Sequence, residues 1–166
     1  MTIAEVLLLD YDPEIAGTRR TLERIPGNDP QWKPHDKSMP IGRLAVHVAR
    51  LPQFCTGILT TPEINMDNTK MPPLVFESTA QLLDVLDTSA AEARAHLTAT
   101  TDAVFQEKWK LSFKGHTIID EPKVKAYRIM FLSHLVHHRA QLGVYLRLLN
   151  IPVPGLYGPS ADEQFG

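Results

Sequence analysis

The stretch that decides the fold is FLSHLVHHRAQLGVYLRLL, residues 131–149, where three histidines fall within five positions of an apolar run. On a helical wheel with about 100° per residue, His134 and His138 lie about 40° apart, inside the apolar stripe. His137 lies on the flank of that stripe, about 100° from His138, and we predict that it is not a ligand. Residues four apart share one helix face, so the sequence predicts that His134 and His138 point together into the core.

A fourth histidine, His47, occupies a similar position in IGRLAVHVARLPQFCTGIL, residues 41–59. An isolated histidine on an apolar face is more often a hydrogen-bonded core residue than a ligand. Three neutral imidazoles, two of them four residues apart and one from another helix, would nevertheless suit zinc, nickel, copper or iron. Three protein ligands also leave a coordination position open, as in catalytic zinc sites. The spacing alone leaves open whether His47 meets the other two.

The segments before residue 60 also favour helices. Asp12 and Pro13 resemble an N-cap and a first helical residue, which predicts a helix over residues 13–25 and a shorter helical piece before it, broken near Asp12. Ser38 is predicted to cap the second helix, with Pro40 in the first turn of that helix.

Prolines and a capping serine later in the chain indicate where the next helices end and begin. Pro52 should kink or end the second helix, and residues 60–77 form an unusually long connection with three prolines. Ser78 should then cap a third long helix, whose apolar residues have helical spacing.

The last third of the chain should end in one long helix. Residues 102–122 are mixed and could hold one helical turn and an extended stretch, and Asp120 with Pro122 should start a helix that runs to about Leu149. Four long helices with little strand signal predict an all-α four-helix bundle, a single domain over residues 1–166.

The composition excludes several classes of protein. Apolar residues make up 43% and charged residues 22% of the chain, which is typical of a globular domain. The net charge of −2, with Lys and Arg scattered, gives no basic surface for nucleic acid or a membrane. Cys55 is the one cysteine, so no internal disulfide can form, and the apolar run near the N-terminus is too short for a signal peptide. We therefore expect a soluble, cytoplasmic protein.

Two stretches resemble the DinB family, also called DinB/YfiT-like proteins. SHLVHHRAQLGVYLRLLNIPVPGLYGPSADE, residues 133–163, is very similar to the last-helix signature of the family, with His134 and His138 at two ligand positions. WKPHDKSMPIGRLAVHVARL, residues 32–51, resembles the family's stretch that carries the first ligand, at the position of His47. The resemblance covers nearly the whole chain.

The resemblance implies an up-down-down-up four-helix bundle, which suits the long connection over residues 60–77. It implies a core site in which His47, His134 and His138 hold one divalent ion, with zinc, nickel and iron not distinguished. It also implies frequent homodimers, and the run AEVLLLD, with apolar residues on more than one side of a helix, favours the same state. Family members include S-transferases and isomerases that use bacillithiol, mycothiol or glutathione, and others described as metal-dependent hydrolases.

Two mechanisms suit a three-histidine metal site with an open position. The metal can present a low-molecular-weight thiol as thiolate to a small electrophile, or it can lower the pKa of bound water toward about 7 for hydrolysis. Hydrolysis usually needs a general base, yet no acidic residue lies near His134 and His138, and Asp120 and Glu121 are a helix start away. The sequence thus favours thiol transfer slightly, with a metal-dependent hydrolase or a non-enzymatic metal-binding or stress-related bundle as alternatives.

Further residues are candidates for supporting roles. Gln141 and Tyr145 lie one and two turns beyond His138 and could bind the cofactor or line the pocket, or Gln141 could be a boundary residue and Tyr145 a core residue. His137 and Arg139 are expected at the rim of the bundle, or alternatively in a helix–helix or dimer contact.

We expect structural rather than chemical roles for the other histidines, the cysteine and several aromatic residues. Cys55 is expected to be a small core residue. The remaining histidines are expected at the surface: His35, His96 and His116. Three aromatic residues should cover the end of the bundle or line the mouth of a substrate pocket: Trp109, Phe113 and Tyr157.

Overall fold

Helices dominate the chain, and a small sheet accompanies them in the computed structural model, which describes residues 1–69 and 73–164. In chain order the helices are α1 (Ile3–Leu22), α2 (Ile41–Arg50), α3 (Pro52–Thr60), α4 (Thr79–Ala99), α5 (Asp102–Phe105), α6 (Lys123–Ala126) and α7 (His134–Leu148). The strands are β1 (Glu63–Asn65), β2 (Lys108–Phe113) and β3 (His116–Pro122). A π-helical segment, Tyr127–Ser133, joins α6 to α7. No described helix combines the length and the apolar character that crossing a bilayer demands.

The helix-rich prediction is confirmed, but the expectation of an all-α chain is wrong because three strands form a sheet in the order β1-β2-β3. β1 pairs with β2 in parallel, with Ile64 opposite Leu111, and β2 pairs with β3 in antiparallel, with Leu111 opposite Ile119. Lys114 and Gly115 close the hairpin with positive φ angles of 49° and 73°, the backbone that two-residue hairpin turns require. The predicted extended stretch is therefore part of a hairpin.

The connection over residues 60–77 also differs from a plain loop. It contains β1, which adds an edge strand to the hairpin. Residues 70–72 of the predicted connection lie outside the described residues. The sheet covers a second apolar cluster, which consists of Ile58, Trp109, Leu111, Ile119 and Ala126. Trp109 and Leu111 of β2 and Ile119 of β3 are thus buried in this cluster, and Ile64 of β1 packs against it while partly buried.

The predicted break near Asp12 is wrong, since α1 continues through Pro13 without interruption. The helix begins ten residues earlier than predicted because Thr2 caps it: its hydroxyl accepts from the backbone N–H of Glu5 at 3.2 Å, and Glu5 accepts from Thr2 N–H at 2.7 Å. Pro13 and Leu9 are both exposed, so water can reach the Leu9 carbonyl that loses its helical donor. Packing of the opposite face keeps the helix intact.

The second helix begins differently from the prediction, and it ends where predicted. Pro40, not Ser38, is the N-cap residue, and it makes no capping side-chain bond. The preceding loop satisfies the first helical N–H groups instead, because Ile41 donates to the Trp32 carbonyl at 2.9 Å. Pro52 separates α2 from α3, which confirms the predicted interruption.

The two later long helices are close to prediction. Ser78 caps α4, where its hydroxyl accepts from the Gln81 N–H at 3.1 Å. The last helical stretch begins at Lys123 rather than at Asp120, which belongs to β3, and it includes the π-helical segment before α7 ends at Leu148. The main core lies among α1, α2, α4 and α7, and Cys55 is fully buried in it, as predicted.

Candidate metal centre

The three histidines that the sequence singles out meet in one place. His47 comes from α2, and His134 and His138 come from the first two turns of α7, which packs against α2. The ring centroid of His47 lies 5.0 Å from that of His134 and 4.7 Å from that of His138. The centroids of the two α7 rings are 4.6 Å apart. One ring nitrogen from each histidine lies within 4.8 Å of the others, so the three could hold a metal ion together. We call these residues the histidine triad.

The apolar faces of α2 and α7 bring the triad together. Leu44 and Leu51 flank His47 along α2, and Leu135 and Leu142 lie beside the α7 pair, all of them buried in the main core. Because apolar neighbours on both helices leave water, the imidazoles between them are drawn inward and end half-buried. The hydrophobic pattern therefore determines the geometry of the polar site.

Hydrogen bonds orient both imidazoles of α7. His138 donates from Nδ1 to the side-chain oxygen of Gln141 at 2.7 Å. His134 donates from Nδ1 to the backbone carbonyl of Met130 at 3.3 Å. Because an oxygen accepts at Nδ1 in each case, the Nε2 lone pairs of both rings are directed away from these acceptors and remain available for a metal.

Burial keeps the imidazoles of His47 and His134 neutral, which metal binding requires. Desolvation, followed by the nearby His138 and His134 and by the charges of Arg43 and Arg50, lowers the pKa of His47 from 6.5 to about 4. Desolvation also lowers the pKa of His134, and the neighbouring His138 adds to the effect. Near neutral pH, both rings therefore offer lone pairs rather than positive charge.

The spacing of the ring nitrogens fits shared coordination. Nε2 of His47 lies 3.2 Å from Nε2 of His134. Zn–N bonds of about 2.0–2.1 Å with tetrahedral angles would place two such nitrogens about 3.3–3.4 Å apart. The separation of 3.2 Å is close to this spacing and is also within hydrogen-bond range, so the two nitrogens can share either a cation or a proton. The residues present therefore fit a divalent ion.

A family model described as the DinB superfamily matches residues 12–142. The chain belongs to the DinB superfamily. The matched region contains the whole triad, which confirms the resemblance inferred from the two sequence stretches. Among curated proteins, this DinB chain is similar to YrdA, an uncharacterized protein of Bacillus subtilis (strain 168). The two are 27% identical over 163 residues, which cover 94% of this chain and 89% of that protein.

Solved structures show the same fold. One is a candidate member of the DinB family from Exiguobacterium sibiricum 255-15, with a TM-score of 0.66, 22% identity, and coverage of 93% of this chain and 97% of the other. Another is YjoA, a DinB-like protein from Bacillus subtilis, with a TM-score of 0.67, 17% identity, and coverage of 98% and 99%. At these identities the likeness concerns the fold alone, which in this chain is a helix-rich DinB-like fold with a small three-stranded sheet.

The two residues considered for cofactor binding lie in different surroundings. Gln141 is half-buried, and its side chain orients His138. Tyr145 is 8% exposed, packs edge-on against Trp32 and donates its hydroxyl to the Met39 carbonyl at 3.1 Å. This geometry supports the core interpretation of Tyr145 and gives Gln141 a supporting position behind a triad residue.

The neighbours of His138 in the sequence point elsewhere. His137 contacts the His138 ring edge-on at 4.9 Å but lines a separate surface depression, with Asp10 and Glu14 of α1. Arg139 is not at the rim, because only 2% of it is exposed. Its guanidinium pairs with Glu14 and donates to the hydroxyl of Tyr157. Arg139 therefore forms an intramolecular contact between α7, α1 and the C-terminal segment, residues 150–164.

The remaining predictions have mixed outcomes. His35 and His116 are exposed as predicted, whereas His96 is half-buried. Trp109 is completely buried under the sheet rather than capping a helix bundle. Phe113 is 41% exposed and lines a cavity beside the triad, as one of the two alternatives predicted, whereas Tyr157 is 75% exposed on the opposite side of α7.

His47 and His134 of the triad border a cavity of about 460 Å³, which we call the triad cavity. Its lining residues come from α2, α3, the sheet, the 60–77 connection and the helix before His134: Arg43, Val46, His47, Arg50, Leu51, Phe54, Met66, Leu74, Leu111, Phe113, Ile118, Met130 and His134. The sequence prediction missed the two arginines. Arg43 lies four residues before His47 and Arg50 three residues after it, so helical spacing could have placed both on the same side.

Proposed function

We propose that this DinB protein is a metal-dependent enzyme in which His47, His134 and His138 hold one divalent ion and a low-molecular-weight thiol attacks a small electrophile. The convergence of the triad at the wall of the triad cavity carries this proposal. A bound divalent ion would supply the Lewis acidity that lowers the pKa of a coordinated thiol, which then reacts as thiolate. The family resemblance supports the choice of a thiol.

The chain's own residues prepare the site for this chemistry. The triad offers three ring nitrogens, which leaves a coordination position for another ligand. Gln141 and the Met130 carbonyl hold the Nδ1 protons of His138 and His134, so the rings keep the tautomer that a metal requires. The apolar walls of the cavity restrict water around the reacting atoms and strengthen electrostatic interactions there.

The side chains around the triad favour thiol transfer over hydrolysis. A metal-bound water usually works with a carboxylate or another base within hydrogen-bond reach. None of the described residues that line the triad cavity is an aspartate or a glutamate. A thiolate is itself the nucleophile and needs no base during its attack, which suits the residues present.

Metal analysis of purified variants tests the first part of the proposal. Replacement of His47, His134 or His138 by Ala should sharply reduce zinc, nickel or iron content, and the double change at positions 134 and 138 should abolish it. His137→Ala is the matched control, because it removes an imidazole of the same helix from outside the triad. Full metal occupancy in His47→Ala would show that α2 does not contribute, and a loss in His137→Ala equal to that in His134→Ala would show that the wrong pair was chosen.

Activity measurements test the second part. Zinc-loaded protein is incubated with 1-chloro-2,4-dinitrobenzene together with one thiol, which is glutathione, bacillithiol or mycothiol in three separate reactions. Thioether formation is followed by absorbance. We expect turnover with at least one thiol and none in His47→Ala. Ester hydrolysis without a thiol would support the alternative of a metal-dependent hydrolase. Inactivity in every assay, with metal bound, would support a non-enzymatic metal-binding bundle.

We also propose a homodimer and the up-down-down-up order of the four long helices, both of which the family resemblance implies. Two apolar residues of α1, Val6 and Leu9, are 44% and 66% exposed and would lose water in an interface. Light scattering at micromolar concentration should give twice the monomer mass of 18.6 kDa. A mass that stays at the monomer value would contradict the dimer.

A further inference from the structure

The triad cavity has a mostly apolar wall and a separate positively charged part. Most of its wall is apolar, with Phe113 and Ile118 of the β2–β3 hairpin facing Met130 of the π-helical segment. Phe113 and Ile118 are 41% and 55% exposed and both line the cavity, so an apolar ligand there would shield them from water. A volume of about 460 Å³ is enough for a small organic molecule.

The charges of the cavity all have one sign. Arg43 and Arg50 are the charged residues among the described residues that line it, and both lie on α2 next to His47. Arg50 is half-buried and donates from Nε to the side chain of Gln53 at 3.2 Å. Arg43 is exposed, and no hydrogen bond or ion pair joins its side chain to another described residue.

We propose that the triad cavity binds an organic anion with an apolar body, whose anionic group pairs with Arg43 and Arg50 and whose hydrocarbon or aromatic part packs against the wall that contains Phe113. The guanidinium group suits carboxylates in particular, because its fork of N–H donors can bind both oxygens. This inference rests on the proposed function in one respect, since it makes the anion the electrophilic substrate.

The thiol fits this wall less well than the substrate does. Glutathione, bacillithiol and mycothiol carry many amide, hydroxyl or carboxylate groups, and the buried ones would lose hydrogen bonds against an apolar surface. An aromatic or aliphatic acid has one polar end and one apolar end, which matches the arrangement of arginines and apolar side chains. The structure therefore favours assigning the cavity to the electrophile.

Calorimetric titration of the full chain with 4-phenylbutyrate and with its neutral amide tests the inference. The acid should bind at least about tenfold more tightly than the amide, and added salt should reduce this difference. Arg43→Gln should weaken binding of the acid about fivefold to tenfold and leave the amide unchanged. Arg43→Lys keeps the charge but loses the fork of N–H donors, so its affinity for the acid should lie between those of the wild type and Arg43→Gln.

Arg128→Gln is the matched control, because Arg128 is also an exposed helical arginine but lines a different depression. Equal binding of acid and amide, failure of both to bind, or equal effects of Arg43→Gln and Arg128→Gln would overturn the inference. Circular dichroism confirms that each variant is folded.

The titrations are repeated after removal of metal by a chelator, and this separates the inference from the proposed function. A preference for the acid that persists without metal supports the arginines as its source, even if the metal-dependent activity proves wrong. A preference that disappears with the metal would mean that the carboxylate binds the ion directly, which would overturn the role given to Arg43.

Discussion

Replacement of Gln141 by Leu provides a sensitive test of the candidate metal centre. The Gln141 side chain accepts a hydrogen bond from Nδ1 of His138 at 2.7 Å and is itself half-buried. Leu has a similar size but no acceptor, so the His138 ring would lose the contact that fixes its tautomer and orientation. We expect weaker zinc binding with an unchanged fold.

The magnitude follows from the kind of contact that is lost. Removal of an outer partner of a metal-binding histidine typically costs tenfold to a hundredfold in metal affinity, or about 1.4–2.8 kcal/mol. The short bond to Gln141 makes this partner stronger than the Met130 carbonyl, which lies 3.3 Å from His134. Because Gln141 is only half-buried, water can replace part of the lost bond, which favours the lower end of the range.

The assay is competition for zinc between the protein and a chromophoric chelator, with Gln141→Glu as the matched variant. A carboxylate at this position can still accept from His138, so Gln141→Glu should bind zinc at least as tightly as the wild type. If the Leu variant binds zinc as tightly as the wild type, Gln141 does not support the site. If the Glu variant is as weak as the Leu variant, the loss has another cause than the missing acceptor.

Four further predictions concern pH and stability. The lowered pKa of His47, about 4 instead of 6.5, keeps its imidazole neutral on acidification, so dialysed protein should retain zinc to about pH 5. Loss of half of the bound zinc near pH 6.5 would contradict this prediction. In metal-free protein the unfolded chain takes up this proton first, so the free energy of unfolding should fall as the pH drops from 6.5 toward 4. Arg139→Leu leaves Glu14 without its buried partner and should lower the free energy of unfolding in urea by about 3–5 kcal/mol, whereas a loss below about 1 kcal/mol would show that the pair is not needed. Gly42→Ala would place its methyl group 2.7 Å from Pro30 Cβ and should cost about 1–3 kcal/mol in the same assay, and an unchanged midpoint would contradict the close packing.

The histidine triad could be predicted because each of its members obeys a local rule. His134 and His138 lie within one regular helix, where a fixed angle per residue decides which side chains share a face. His47 follows the same rule within α2. The meeting of the two helices is a tertiary fact, and only the resemblance to other chains, not helical spacing, anticipated it.

Arg139 shows why other positions could not be predicted. On a helical wheel it lies away from the apolar stripe, and an isolated α7 would expose it. The C-terminal segment returns over that face and is fixed to α1, because Glu163 pairs with Arg20 and Arg24 and because Tyr157 bonds Glu14. The burial of Arg139 therefore depends on contacts between residues more than a hundred positions apart.

The sheet was missed for a different reason. Its strands are short, and the two apolar positions of β2 that are buried, Trp109 and Leu111, alternate over too few residues to distinguish a strand from a loop. The turn at Lys114 and Gly115 was the stronger signal, because a glycine between two short extended runs is typical of a hairpin. This hairpin supplies Phe113 and Ile118 to the triad cavity, so the missed element is also the one that shapes the proposed substrate site.

The π-helical segment, residues 127–133, links the histidine triad to the triad cavity. The wheel that identified the metal pair assumes about 100° per residue, and this assumption holds from His134 onward but not through residues 127–133, whose hydrogen bonds span five residues. The wider turn still buries Tyr127 and Phe131 in the core, directly before α7 presents its two histidines to α2. It also positions Met130, whose carbonyl accepts from His134 and whose side chain lines the triad cavity. A π-helical turn is rare and is often found at functional sites, and here the same turn serves the core, the orientation of a triad histidine and the wall of the triad cavity.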